Sequence, residues 1–344
     1  MQLRGKKVFV GISGGVDSGV TAALLKEAGA EVVGVFIKGW YPPGMPCTWS
    51  SDRRDAMRVS ARLRIPFHTL DASSEYKRGV IDYLLAEYRA GRTPNPDIMC
   101  NREVKFGAFY RFAMEQGADF IATGHYARQE NGMLLRGVDE AKDQSYFLWA
   151  IPKEALAKTL FPLGNFHKDE TRRLATRFNL PNAAKKDSQG ICFLGQVSVE
   201  DFLKQEFGEA PGAAIDEAGK QIGAHNGVLL HTIGERIHLE HAPPGPWYVI
   251  RKDIESNTLV VSHEQRVMEL SAAIALTQTN WLVNPIEGEV LSAQYRYHGP
   301  NITGTLSSDR NSFIPTEPLE EAIAEGQSLV LYRDDVCIGG GIIE

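Results

Sequence analysis

The sequence predicts an α/β protein in which a doubly wound, parallel-sheet domain precedes a small, mostly-β central domain and a C-terminal β-barrel. Three observations carry that expectation. Apolar runs near the N-terminus lack clean alternation, a Gly-rich turn joins a strand to a helix, and beyond Phe207 Gly and Pro punctuate short alternating runs. The implied domains are 1–205, 206–270 and 271–344.

Residues 7–37 read as one βαβ unit: an apolar strand to Ile12, a Gly-rich turn, a helix from about Ser18 closed by Gly29, and a second strand, Glu31 to Ile37. Strands apolar on both faces belong in a buried parallel sheet. The pattern continues with a strand near Ile65–Leu70, a helix near Glu75–Arg89, a helix from Lys105 to Gln116 and a strand at Asp119–Thr123. Two stretches rich in Pro, Gly and polar residues, Trp40–Asp52 and Gly91–Glu103, read as loops at the sheet's chemical edge. A charged helical stretch containing Asp169, Glu170, Arg172 and Arg173 follows, then a loop at Pro181–Ser188. Runs such as Trp247–Ile250 and Thr258–Val261 predict hairpins in the central domain, and Gly304–Leu306 and Ser328–Tyr332 predict barrel strands.

The chain has 344 residues, 43% hydrophobic and 23% charged, which suits a folded protein of two or three domains. No apolar run approaches the roughly 18 residues a membrane span needs, so no membrane association and a cytoplasmic location are expected. Four cysteines, Cys47, Cys100, Cys192 and Cys337, are too scattered for a disulfide framework or a C-x-x-C metal site. A formal charge of −6 offers no global attraction to polyanions, so any nucleic acid must be held by local basic patches.

The segment Ser13-Gly14-Gly15-Val16-Asp17-Ser18 lies between strand and helix. Its glycines let successive backbone N–H groups converge on one anion, and the helix adds its positive dipole end. The hydroxyls of Ser13 and Ser18 are further donors, and Asp17 is a candidate Mg²⁺ ligand. The alternative is a tight turn capped by Ser18 or Asp17. No Walker-type Gly-Lys-Ser/Thr ending follows, which suits a pyrophosphate that departs better than a transferred γ-phosphate. The hexapeptide resembles the signature of the ATP-pyrophosphatase (PP-loop) superfamily, which implies ATP as cosubstrate and AMP and pyrophosphate as products.

Cys100 ends a segment, Thr93 to Cys100, stiffened by Pro94 and Pro96, with Asp97 three residues from the thiol. Cys192 follows Lys185 and Lys186, which favour a thiolate if they fold over it. The alternative for each is a small buried hydrophobe, and Cys337, in an apolar strand-like run, is read as one. Cys47 stays unassigned.

The loop at 13–18, Gly91–Asp97 running to Cys100, Thr123–Arg128, Lys142–Leu148, Lys185–Phe193 and the ending Cys337–Ile343 together resemble the bacterial tRNA-specific 2-thiouridylase family, in the family's order and across almost the whole chain. The resemblance implies ATP-dependent adenylation of the C2 carbonyl oxygen of the wobble uridine in tRNAs for Lys, Glu and Gln. Sulfur then comes from a cysteine persulfide supplied by a sulfur-relay protein or a cysteine desulfurase. It implies ATP contacts from Gly11, Ile12, Ser13, Gly14, Gly15, Val16, Asp17, Ser18, Ile37 and Gly124, and base contacts from Asn95, Pro96 and Asp97, with Asp97 as acid/base. Cys192 takes the persulfide role and Cys100 the partner nucleophile's, the two forming a transient disulfide. Contacts to tRNA fall on His125, Lys142, Asp143, Gln144 and Gln327, with Tyr295 and Arg296 in the barrel. A monomer with Mg²⁺ as cofactor is expected.

Three runs depart from the family pattern: Gly234-Glu235-Arg236-Ile237-His238-Leu239-Glu240 in the central domain, Gln294-Tyr295-Arg296 in the barrel, and Glu325 in place of Pro. Each lowers positive charge or rigidity on surfaces expected to meet tRNA. Two other classes remain open on the residues alone, a PP-loop ligase or amidotransferase acting on a small molecule, and a non-catalytic tRNA-binding relative.

Overall fold

A computed structural model describes residues 3–44, 48–187, 198–239, 242–264, 273–319 and 322–344. The apolar runs around the Gly-rich turn form strands, as their two-sided hydrophobicity requires. β1 (Lys7–Gly11), β2 (Glu31–Lys38), β3 (Phe67–Asp71), β4 (Phe120–Ala122) and, after the hairpin β5 (Ala127–Glu130) and β6 (Met133–Arg136), β7 (Thr159–Leu160) are its strands. β1, β2, β3, β4 and β7 make a parallel sheet in the order β3-β2-β1-β4-β7. Alternate residues divide between two cores. Val8, Val10, Val32 and Phe36 pack with α1 (Val16–Glu27) and α2 (Trp49–Leu63), whereas Phe9, Val33, Val35 and Ile37 pack against helical residues of 73–89 and 96–115. Chain order reverses at β1, between β2 and β4, so the crevice of this doubly wound domain opens beyond the carboxyl end of β1.

Two expected loops are corrected. Trp40–Asp52 is overtaken at Trp49 by α2, a whole helix absent from the sequence reading. Its buried face is only Ala56, Val59, Ser60 and Leu63 among arginines and aspartates, so its apolar periodicity is faint. Gly91–Glu103 ends as a loop at Asn95. Pro96 opens a helix whose axis continues through a widened stretch, Asn101–Ala108, to Glu115. Proline lacks a donor that the first helical turn leaves unused, so Pro96 is suited to open the helix. Cys100 therefore sits inside a helix.

The central domain's strands β8 (Gly212–Ile215), β9 (Gln221–His225), β10 (Arg236–Ile237), β11 (Trp247–Asp253) and β12 (Thr258–Ser262) pair in the order β10-β11-β12-β8-β9. Beyond them β13 (Ile274–Trp281), β14 (Val290–Gln294), β15 (Ile302–Leu306), β16 (Ser312–Pro315), β17 (Ser328–Arg333) and β18 (Val336–Ile343) form a six-stranded barrel, closed by β13 against β18. Closure removes the exposed edges of an open sheet. The β5–β6 hairpin turns on Asn131-Gly132, both at positive φ, and β6 pairs with β18. A piece of the first domain thus extends the barrel's sheet. Among the described residues no helix is long and apolar enough to cross a membrane.

Candidate active site

The Gly-rich loop leaves β1 at the crevice. Ile12 N donates to Val35 O, extending the sheet by one bond, and Gly14 then takes φ +83°. A Cβ on Gly14 would lie 2.4 Å from Asp52 O, so both the backbone conformation and the approach of α2 demand glycine here. The loop's own side chains hold its curl. Ser13 N donates to Ser18 Oγ at 3.2 Å, Gly15 N to Ser13 Oγ at 3.3 Å, and Ser18 Oγ to Gly15 O at 3.2 Å. Asn182 Nδ2 donates to Gly14 O at 2.9 Å from the far side. The first-turn N–H groups of α1 have no partners within the helix, so this turn presents a concave set of donors at its positive end.

Gly124, just after β4, closes the cradle. A Cβ there would sit 2.9 Å from Ser18 N and 3.1 Å from Asp17 C. Ile37, near the end of β2, is buried in the sheet's core. The ten positions expected to meet ATP are thus placed around one strand-to-helix junction and its two neighbouring strands.

Asp17, in the first turn of α1, is held by residues with no local signature. Lys168 Nζ lies 2.8 Å from each Asp17 carboxylate oxygen, and the Tyr126 hydroxyl donates to Oδ1 at 3.1 Å. Burial, then the Asp17 charge, push the Tyr126 phenol far above its ordinary value, so it stays protonated and can donate to Asp17. Lys168 also reaches Asp187 Oδ1 at 2.9 Å, Arg172 meets the same oxygen at 2.5 Å, and Lys142 lies 3.9 Å from Oδ2. Burial opposes ionisation of Asp187, but Lys168, Arg172 and Lys142 hold its carboxyl below the ordinary value. Lys185 bridges Asp52 and Asp55 at 2.9 and 2.8 Å. The stem 185–187 is therefore pinned to α2 and to the helix Lys168–Arg177. Cys192, which this stem precedes, and Cys47 lie outside the described residues.

The thiol side is built on the helix that Pro96 opens. Asn95 occupies the position before it, Asp97 lies in its first turn where a carboxylate is favoured, and Cys100 follows three residues on, hence on the same side. Cys100 is fully buried. Further along, Lys105 Nζ lies 3.2 Å from His125 Nε2, while Thr123 Oγ1 is 2.7 Å from Nδ1. Burial, and then Lys105, drive the His125 pKa well below its ordinary value, so the ring is neutral and Nε2 accepts from the lysine. His125 follows Gly124. One contact chain thus runs from the Cys100 helix through Lys105 and His125 to the cradle.

The residues expected to touch tRNA are placed unevenly. Lys142 is partly exposed and Arg296 is exposed. His125, Asp143 and Tyr295 are buried. Asp143 accepts from Gly137 N, Ser145 N and Ser145 Oγ at 2.8 to 3.0 Å, and Gln144 Oε1 accepts from Tyr126 N at 3.0 Å. Gln327 Nε2 donates to Thr93 O. Cys337 is enclosed in β18, where burial pushes its thiol up to about 12.

Comparison with known proteins agrees with this architecture. Residues 6–196 match the family model described as the tRNA methyl transferase HUP domain, 200–263 the tRNA methyl transferase PRC-barrel domain, and 271–343 the aminomethyltransferase beta-barrel domain. The tRNA-specific 2-thiouridylase MnmA of a Pseudomonas fluorescens strain is 44% identical over 355 residues, covering 98% of this chain and 95% of the relative. The protein of the same name from Proteus mirabilis is 43% identical, and that from Acinetobacter baylyi 42%, each covering 98% of this chain and 97% of the relative. With a parallel-sheet domain, a central β-domain and a closed barrel in the same order, and with identity sustained over nearly the full length, the chain belongs to the tRNA-specific 2-thiouridylase family, enzymes that transfer sulfur to tRNA.

Proposed function

We propose that this sulfurtransferase uses ATP to adenylate the C2 carbonyl oxygen of the wobble uridine in tRNAs for Lys, Glu and Gln, then installs sulfur from a persulfide on Cys192. The observation that carries this reading is the contact chain from the phosphate cradle through Gly124, His125 and Lys105 to the helix bearing Asp97 and Cys100. It links an anion site to the helix that carries a carboxylate–thiol pair, and a two-stage reaction needs both.

In the first stage the uridine oxygen bonds to the α-phosphorus, the α–β bridging bond breaks, and pyrophosphate leaves with the electron pair. The Gly11–Ser18 backbone, with Gly124 beside it, receives the phosphates, while the backbone at Ile37 borders the adenine. Adenylation turns a poor leaving group into AMP. In the second stage the terminal sulfur of the Cys192 persulfide bonds to C2 and AMP departs with the oxygen. The Cys100 thiolate then attacks the Cys192 sulfur, forming the transient Cys100–Cys192 disulfide and leaving the thiocarbonyl on the base. A cellular thiol reduces the disulfide before the next turnover. Asp97, with Asn95 and Pro96 shaping the base pocket, moves the proton at N3 or at the thiol. Burial of Cys100 keeps its thiol from bulk solvent until substrate is in place.

The Asp17 carboxylate, in the first turn of α1 and met by Lys168 at 2.8 Å, has lone pairs left for a Mg²⁺ that arrives on the phosphates. Asp17 would hold the ion, which would supply charge neutralisation to the phosphates. Contacts to tRNA are assigned to Lys142, Arg296 and the neighbourhoods of His125, Asp143, Gln144, Tyr295 and Gln327, in a cytoplasmic monomer.

The test is thiolation in vitro with ATP, Mg²⁺, a persulfide donor and each of the three tRNAs, read by mass spectrometry of nucleosides. Wild type should yield 2-thiouridine at the wobble position, and Cys192→Ser none. Equal product from Cys192→Ser would sink the persulfide assignment.

A further inference from the structure

The loop from Ile12 to Ser18 carries no cationic side chain, yet the group it is proposed to release is a polyanion. A cation reaches the loop from elsewhere in the chain. Lys168 begins the helix Lys168–Arg177, its backbone N donating to Asp139 Oδ2 at 2.9 Å, and its side chain crosses to α1 with only 16% of its surface exposed. The ammonium makes contacts of 2.8, 2.8 and 2.9 Å, two to Asp17 and one to Asp187.

The two carboxylates are not equivalent partners. Among the described residues Asp17 has Lys168 as its one cationic contact, plus the Tyr126 hydroxyl, and it sits beside the donors of the cradle. Asp187 also has Arg172 at 2.5 Å and Lys142 at 3.9 Å, so it stays neutralised if Lys168 turns away. The Lys168–Asp187 contact is therefore the one exchanged at least cost. An ammonium with three hydrogens can keep Asp17 and take a phosphate oxygen in place of Asp187.

We propose that Lys168 is the phosphate-binding cation of the adenylation step, exchanging Asp187 for an oxygen of the β-phosphate and meeting the charge that grows there. As the uridine oxygen bonds to the α-phosphorus, the bridging oxygen leaves with its electron pair on pyrophosphate, and that new charge faces the ammonium. This lysine, 151 residues from Asp17 in sequence, takes the part that a loop lysine plays in Walker-type sites. Loss of a charge-assisted bond to a developing anion lowers the rate more than the ground-state affinity. The inference rests on the ATP reading of the cradle and adds a residue to it.

The experiment measures binding of ATP and of adenosine by calorimetry, and pyrophosphate release in the complete thiolation mixture, for wild type, Lys168→Gln, Lys168→Arg and Asp187→Asn. Lys168→Gln should weaken ATP binding about 10-fold, leave adenosine binding within roughly 2-fold, and slow pyrophosphate release about 100-fold, with Lys168→Arg recovering part of each loss. Asp187→Asn removes the competing carboxylate and should tighten ATP binding roughly 2- to 10-fold, a readout that stands even if Lys168→Gln fails to fold. Equal losses for ATP and adenosine would mean that Lys168 only supports the loop, and unchanged ATP binding in Lys168→Gln, or unchanged or weaker ATP binding in Asp187→Asn, would overturn the exchange. If wild type bound no ATP, the cradle reading and this inference would fall together. If wild type bound and cleaved ATP while Lys168→Gln matched it, this inference alone would fall.

Discussion

Gln327 donates its side-chain amide to the backbone carbonyl of Thr93 at 2.7 Å, tying the barrel to the strand of chain that leads into Asn95, Pro96 and Asp97. Thr93 N donates to Glu325 O at 2.8 Å, and Thr93 Oγ1 lies 3.2 Å from Thr232 Oγ1 in the central domain. One residue thus bonds to both β-domains, two positions before the proposed base pocket. Replacing Gln327 with Ala should cost about 1 kcal/mol in denaturant unfolding. It should also slow thiolation while ATP affinity holds, because the bonds of Thr93 run to Glu325, Thr232 and Gln327 and not to the cradle. Thiolation at the wild-type rate would show that the junction does not position the pocket.

Gly124→Ala tests the cradle from its open side. The added methyl would lie 2.9 Å from Ser18 N and 3.1 Å from Asp17 C, backbone atoms that cannot swing away. Overpacking of this kind costs roughly 1–3 kcal/mol when the neighbours must shift. The shift falls on the first turn of α1, so ATP binding should weaken about 10-fold, with the melting temperature dropping by only a few degrees. Unaltered ATP affinity would detach Gly124 from the nucleotide site.

Lys252 supplies a pH signature for the central domain. Burial lowers its ammonium to about 8, against the opposing pull of Glu235 and Glu325, and its Nζ donates to His231 O at 2.9 Å. A lysine whose folded pKa is depressed binds its proton less tightly folded than unfolded, so this group's contribution to stability rises as pH increases from about 8 to about 10.5. Lys252→Met should be relatively most stabilising near neutrality and lose that advantage through this window. Melting curves of both proteins from roughly pH 7 to 11 supply the comparison, and a pH-independent difference would refute the buried-ammonium account.

The β1–α1–β2 unit is legible in the sequence because each determinant is local. Val8, Phe9 and Val10 need cover on both faces, and Gly14 needs positive φ. The hairpin at 127–136 carries an equally local mark, Asn131-Gly132, which the sequence reading overlooks because the flanking strands are only four residues each. α2 is harder to see, since its six arginines and aspartates outnumber the four residues it buries. In the site, the loop and Asp97–Cys100 are legible as motifs. Lys168 is not: it lies in an ordinary charged helix start, and its meaning comes from partners at positions 17 and 187 that only the fold brings within 3 Å. His125 stands out as a residue, but its burial against Lys105 and Phe106 depends on where the Cys100 helix passes.

The pairing of β6 with β18 makes the third domain a poor candidate for exchange between proteins. Severing the chain near residue 270 would strip Leu134 and Leu135 of Cys337 and Val336, and would leave the Arg128 guanidinium without Asp335. The remaining fragment would display an unpaired strand edge beside an apolar face, the usual template for self-association. Evolutionary or engineered grafting of a different barrel would therefore have to carry over the docking rim of β18 as well as the surface that meets RNA.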